Sequence, residues 1–179
     1  MNVEKRIEQL YGPLPQAPSP VAAYVPVVQS GNLMFLSGQG PIINGEQKFT
    51  GRVGEDVSME QGYEAAKLCC VNLLAQLKKY IGDLDRVRRV VSVKVYIASG
   101  PDFFDQPKVA NGMSEFLEQI FGELGRHSRC ALGAYVLPGN IPVEAELIVE
   151  TSTSRKEVLK EEGDAAAKPP QEKGGSLFD

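Results

Sequence analysis

Hydrophobic positions along the chain change period several times, and each change marks an element. Tyr63, Ala66, Cys70, Leu73, Leu74, Leu77 and Ile81 recur every three to four residues, the stripe of an amphipathic helix. Ser58 to Gln61 ahead of them has the form of a capping box, and Gly82 supplies the stop. A second helix over Asp102 to Phe121 carries Val109, Met113, Phe116, Leu117, Ile120 and Phe121 on one side and ends at Gly122 or Gly125. Between the helices, Val91, Val93, Val95 and Ile97 alternate with Ser92, Lys94 and Tyr96, the period of a half-buried strand. Val21 to Gln29 and Leu33 to Ser37 read as strands joined by the turn Ser30-Gly31-Asn32, with a looser strand around Gln47 to Val53. Arg129 to Val136 and Val143 to Glu150 read as two last strands, and Asn2 to Leu10 as a short amphipathic helix. This order predicts an α+β fold, one sheet with two helices layered on one face.

If the last two strands pair as a hairpin with Val136 opposite Val143, strand parity sorts their side chains. Cys130, Leu132, Ala134 and Val136 then share a face with Val143, Ala145, Leu147 and Val149, and that face belongs under the helices. The opposite face shows Arg129, Ala131, Gly133 and Tyr135 beside Glu144, Glu146, Ile148 and Glu150. Residues as small as alanine and glycine point to close approach of another sheet, supplied by a second copy of the chain. The competing account is a plain solvated face.

Composition narrows the class. A chain of 179 residues fits one domain, with no need of disulfide or metal staples. Prolines at 13, 15, 18 and 20 make an extended lead-in. From Ser152 a charged segment, with room for a short helix to about Glu162, passes into Gly163 to Asp179, which is too poor in apolar residues to order itself. The expected division is residues 1–20 as an N-terminal extension, 21–151 as the domain and 152–179 as a charged tail. The net charge of −4, with no basic segment, gives no support for nucleic acid as a partner. Cys69, Cys70 and Cys130 form no C-x-x-C pair, and one histidine, His127, cannot complete an ordinary zinc site. Neither a signal-like apolar core nor a run of about 18 apolar residues is present, so a cytoplasmic protein without a membrane partner is expected.

Tyr24 to Pro41, with its Gly31-Asn32 turn and Ser37-Gly38-Gln39-Gly40-Pro41, resembles the opening of the RidA/YjgF family, also known as endoribonuclease L-PSP. Arg129 to Pro138 followed by Val143-Glu144-Ala145-Glu146 resembles the family signature R-x(8)-P-x(4)-V-E-x-E. Asp83 to Tyr96 is similar to its middle segment, and the likeness covers roughly Ala22 to Glu150. Asn111-Gly112-x-Ser114 and Gly122-x-x-Gly125-x-His127-x-Arg129 look more like a longer subgroup. The resemblance implies a chorismate mutase-like fold with a mixed sheet, a homotrimer with three clefts between subunits, and hydrolysis of 2-imino and enamine acids without a cofactor.

The residues suit that chemistry. A guanidinium fork holds a carboxylate through two charge-assisted hydrogen bonds, and Arg129 matches the family's carboxylate-binding arginine. Glu144 matches the family glutamate; on an enclosed face it could take a proton from water and return it to the departing nitrogen. For both, a structural ion pair is the plainer account. Tyr24 matches a cleft tyrosine, Ser37 and Gly38 a donor and a point of backbone approach, and Asn111 a cleft asparagine. His127 has no counterpart among the family's catalytic groups and falls to a loop. Many deaminating members carry a cysteine two residues after the arginine, where this chain has Ala131. Two other functions fit the same residues: a non-enzymatic, ligand-binding or regulatory trimer, and the older ribonuclease activity.

Overall fold

The computed structural model describes residues 2–18 and 23–152. Its elements are α1 (Val3–Leu10), β1 (Val27–Ser30), β2 (Leu33–Gln39), β3 (Ile42–Ile43), β4 (Glu46–Gln47), α2 (Met59–Ile81), β5 (Val87–Ala98), α3 (Gln106–Phe121), β6 (Ser128–Ala134) and β7 (Val143–Thr151). The first strand is shorter than the expected Val21 to Gln29, of which Val21 and Ala22 lie outside the described residues. The loose strand expected around Gln47 to Val53 is not formed: only Gln47 belongs to a strand, β4, and Val53 makes isolated bridges to Val57 and Ser99. The charged helix and disordered tail expected after Ser152 also lie outside the described residues.

The main sheet has the order β1-β2-β7-β5-β6, with β6 parallel to β5 and the other pairs antiparallel. It is therefore mixed, as expected. The final hairpin is not formed. β5, α3 and β6 make a crossover unit of the kind parallel strands require. The chain then passes over the end of β5, where Ala98 N–H donates to Pro142 O (2.9 Å), and returns as β7 on the far side.

This changes which way β6 faces. Val93 of β5 is opposite both Arg129 and Leu147, and Val95 is opposite both Ala131 and Ala145. Arg129, Ala131 and Gly133 thus share the helix-covered face with Leu147 and Ala145, while Cys130 and Leu132 share the open face with Glu144 and Glu146. A hairpin with Val136 opposite Val143 inverts this assignment, because interposing β5 shifts the effective register by an odd number of residues. Ala131 accordingly packs against the core, and Leu132 is 52% exposed.

One apolar core lies between sheet and helices. Met34, Leu36, Val93, Val95, Val143, Ala145 and Leu147 meet Leu73, Leu74, Leu77, Met113, Leu117 and Ile120. The Ser58–Gln61 capping box forms reciprocally. α2 is not a one-sided helix: every residue from Leu68 to Leu77 is buried. The sheet covers one side and α3 another, while the segments carrying Pro18 and Gly40–Ile42 close the remainder. A third helix joins the two expected on that face. α1, capped by Asn2, buries Val3 and Ile7, and its Arg6 donates to Ile120 O (3.0 Å).

Candidate functional site

Four of the residues singled out in sequence meet in one place. A cleft of about 630 Å³ is lined by Tyr24, Ser37, Gly38 and Glu144, with Pro18, Pro26, Gln39, Gly40, Ile42, Gln47, Gln76, Pro138, Gly139, Ile141 and Glu146. β2 bulges between Leu36 and Gln39, opposite β7, and that irregularity carries Ser37 and Gly38 to the cleft. Gly38 meets the Glu144 carboxyl so closely that a Cβ there would overlap Oε1. Ser37 Oγ donates to Val25 O (2.8 Å) and its N–H to Pro26 O (2.9 Å), so the serine ties the Tyr24 segment to β2. Tyr24 stands at the rim, 41% exposed.

Glu144 is half-buried, and burial raises its carboxyl above the ordinary value, helped by the negative charge of Glu146 two residues on. Glu146 is held by Lys94 Nζ (3.3 Å) and by the Tyr96 hydroxyl, which donates to Oε1 (3.4 Å). The described lining includes these two carboxylates and no lysine or arginine.

Arg129 and Asn111 lie elsewhere. Arg129 projects from the edge strand β6 on the helix side, and its Nη1 donates to Asn111 Oδ1 (2.8 Å) and Ser114 Oγ (3.0 Å) of α3. Arg129 is opposite Val93 and Glu144 opposite Tyr96, so they stand three residues apart along β5, roughly 10 Å, with two strand spacings, roughly another 10 Å, between β6 and β7. Their side chains leave opposite faces of the sheet. The expected positions, with Arg129 opposite Glu150 on the same face as Glu144, are therefore corrected: within one chain the two residues are separated and face opposite ways.

Two supporting residues escaped the sequence reading, and two that it named have a link it did not show. Asn72 and Gln76, one turn apart on α2, are buried, and Gln76 lines the cleft. Asn72 Nδ2 donates to Gly40 O (2.9 Å) and Ile42 O (2.7 Å), and Gln76 Nε2 donates to Pro18 O. Their signal was available: two amides at i and i+4 inside an apolar run. Ser114 and His127, beside Arg129, bond to each other (3.0 Å), with no signal in spacing to announce it.

A further depression of about 590 Å³ is lined by Leu33, Arg89, Val91, Arg126, His127, Ser128 and Glu150. Its Arg126 is already paired with Glu118 (2.9 Å) and Glu123 (3.1 Å). No group of three or more His, Cys, Asp or Glu that could hold a metal occurs among the described residues, and no described helix is long and apolar enough to cross a membrane.

Comparison with known proteins adds four observations. A family model described as "YjgF/chorismate mutase-like, putative endoribonuclease" matches residues 5–150. Protein TCP17 of Trypanosoma cruzi is 39% identical over 150 residues, covering 83% of this chain and 94% of that protein. A 2-iminobutanoate/2-iminopropanoate deaminase of Dermatophagoides farinae is 29% identical over 136 residues, covering 75% and 91%. Among solved structures, Atu1372 of Agrobacterium tumefaciens, of unknown function, superposes with a TM-score of 0.79 at 42% identity, over 85% of this chain and 93% of that one.

Proposed function

The chain belongs to the YjgF/chorismate mutase-like family, and from that premise we propose that it hydrolyses small 2-imino and enamine acids to 2-oxo acids and ammonia, in clefts shared between the subunits of a homotrimer. The observation that carries the reading is the division of the site. The cleft presents a half-buried carboxyl with a raised proton affinity and no lysine or arginine in its described lining, while the arginine suited to a substrate carboxylate is held at the outer edge of another strand. A closed ring repeats one contact around its axis, so the β6 edge of one subunit can complete the Glu144 cleft of the next. Exposed Val28, Phe35 and Leu132 on the open sheet face support such an assembly.

In the proposed reaction Arg129 holds the substrate carboxylate, and Glu144 takes a proton from water as its oxygen adds to the C=N carbon. Glu144 returns that proton to nitrogen, giving a carbinolamine, then takes the hydroxyl proton and passes it to the same nitrogen as the C–N bond breaks, which leaves ammonia and a 2-oxo acid. Gly38 gives the Glu144 carboxyl its place, Tyr24 borders the ligand, and Ser37 holds the Tyr24 segment. The reading needs no metal and no organic cofactor. Residues 21–151 form the proposed functional unit, braced by α1. The unbridged thiols of Cys69, Cys70 and Cys130 fit the cytoplasmic location that goes with it.

The test is the breakdown of 2-iminobutyrate and 2-iminopropionate, generated in place by an amino-acid oxidase, with semicarbazide as competing trap. Accelerated loss of the imine supports the proposal, and a rate equal to the uncatalysed one overturns it. Ala131, in place of the cysteine common in deaminating members, favours a second reading, a ligand-binding trimer without turnover. That reading predicts 2-oxobutyrate binding with no acceleration.

A further inference from the structure

Arg129 is exposed on an edge strand, where a long side chain ordinarily samples many rotamers, yet its guanidinium is held from one side only. Both hydrogens of Nη1 go to α3, to Asn111 Oδ1 (2.8 Å) and Ser114 Oγ (3.0 Å). Asn111 and Ser114 are three residues apart, hence on one face of the helix. With Nη1 committed, the edge formed by Nε and Nη2 is the one that can present two parallel N–H groups to a carboxylate.

Behind this clamp stands a histidine. His127 Nδ1 lies 2.6 Å from Gly125 O, and Nε2 lies 3.0 Å from Ser114 Oγ. A carbonyl only accepts, so Nδ1 carries the proton, and in the neutral ring Nε2 is then an acceptor. The Ser114 hydroxyl has one proton and donates it to Nε2, which turns its lone pairs toward Arg129. Without that acceptor the hydroxyl can rotate to donate to the Ala110 carbonyl one turn back on α3, a common alternative for serine in helices. The chain Gly125 O, His127, Ser114, Arg129 therefore has a fixed direction of donation at every link.

We infer that His127 is a positioning residue: acting through Ser114, it aims the Nε–Nη2 edge of Arg129 outward, toward the carboxylate of a ligand in the neighbouring subunit's cleft. This rests on the proposed function for the identity of the ligand, though not for the clamp itself.

Two substitutions separate the relay from mere packing. His127→Gln places an amide oxygen near the position of Nε2 and keeps an acceptor for Ser114. His127→Asn places its amide near Nδ1, keeps the bond to Gly125 and offers Ser114 nothing. Rotation about the Arg129 Nε–Cζ bond, read from side-chain ¹⁵N NMR of the full-length protein, should be slow in the wild type and in His127→Gln. In His127→Asn it should be about tenfold faster, in keeping with loss of a charge-assisted hydrogen bond. The dissociation constant for 2-oxobutyrate should rise about tenfold in His127→Asn and stay near wild type in His127→Gln. In imine hydrolysis the same variant should raise KM while leaving kcat nearly unchanged. Should His127→Asn fail to fold, Ser114→Ala carries the same measurements, since it leaves Nη1 one acceptor.

Rotation as slow in His127→Asn as in the wild type overturns the inference. So does faster rotation with unchanged 2-oxobutyrate binding. A wild type that hydrolyses no imine instead overturns the proposed function, and leaves the rotation and binding measurements to decide the clamp.

Discussion

The carboxyl of Glu144 rests on the α-carbon of Gly38, with no room for a methyl group between them. Glycine at this point of the β2 bulge is what lets the carboxyl lie over the neighbouring strand. The obstacle a Cβ would meet is the far end of a flexible side chain, so Gly38→Ala can be accommodated by swinging the carboxyl aside. The expected result is a melting temperature within a few degrees of wild type and a kcat lower by about 10²-fold, the scale of a misplaced general base. Thermal melts and steady-state kinetics on one preparation check both halves.

The raised proton affinity of Glu144 predicts two pH effects of definite sign. In its proposed role as general base it works ionised, so the acid limb of kcat/KM should have its midpoint above the ordinary carboxyl value of 4.5 and should vanish in Glu144→Gln. The folded carboxyl keeps its proton to a higher pH than the unfolded one. The stability attached to it is therefore complete below the unfolded pKa and is lost as pH rises through the folded one. Glu144→Gln removes that penalty, so it should melt above the wild type near neutral pH and level with it below about pH 4. Melts across the pH range test the sign directly.

Arg129 and Glu144 leave opposite faces of one sheet, so the shared cleft predicts complementation. Arg129→Ala and Glu144→Ala should each lose at least about 10²-fold in kcat/KM. Refolded together, they should recover part of the activity, because some boundaries in mixed trimers unite an intact arginine with an intact glutamate. Verified mixed trimers without recovery would rule out the shared cleft.

Asn72 predicts a mixed effect on stability and site shape. Its amide donates to two carbonyls at the corner between β2 and β3. Asn72→Leu leaves both without that donor, at about 1–3 kcal/mol for each one that stays buried and unpaired. Urea unfolding should show the loss. KM should rise as well, because Gly40 and Ile42 line the cleft.

Much of this was legible in the residues themselves. The period of 3.6 over Tyr63–Ile81 and Val109–Phe121, and the period of two in β5, report burial set by neighbours close in sequence. The capping box at Ser58 and Gln61 is equally local, and it forms as read. The resemblance to the family's motifs marked Gly38 and Glu144, two residues that do meet.

What the residues did not determine was which strand lies between β6 and β7. Alternation along a strand sorts side chains into two sets, but which set faces the core depends on the register with the neighbouring strand. For β6 that neighbour is β5, more than thirty residues earlier, and its pairing reversed the faces of Arg129, Ala131 and Cys130. The links of Asn72 to Gly40 and of His127 to Ser114 likewise depend on how the layers pack, since each joins separate elements or loops. Local spacing thus determined the long helices and the alternation of β5, and the family resemblance supplied the candidate chemistry. Only the tertiary structure decided that the arginine and the glutamate leave opposite faces of the sheet, because long-range pairing sets the faces that local periodicity leaves open.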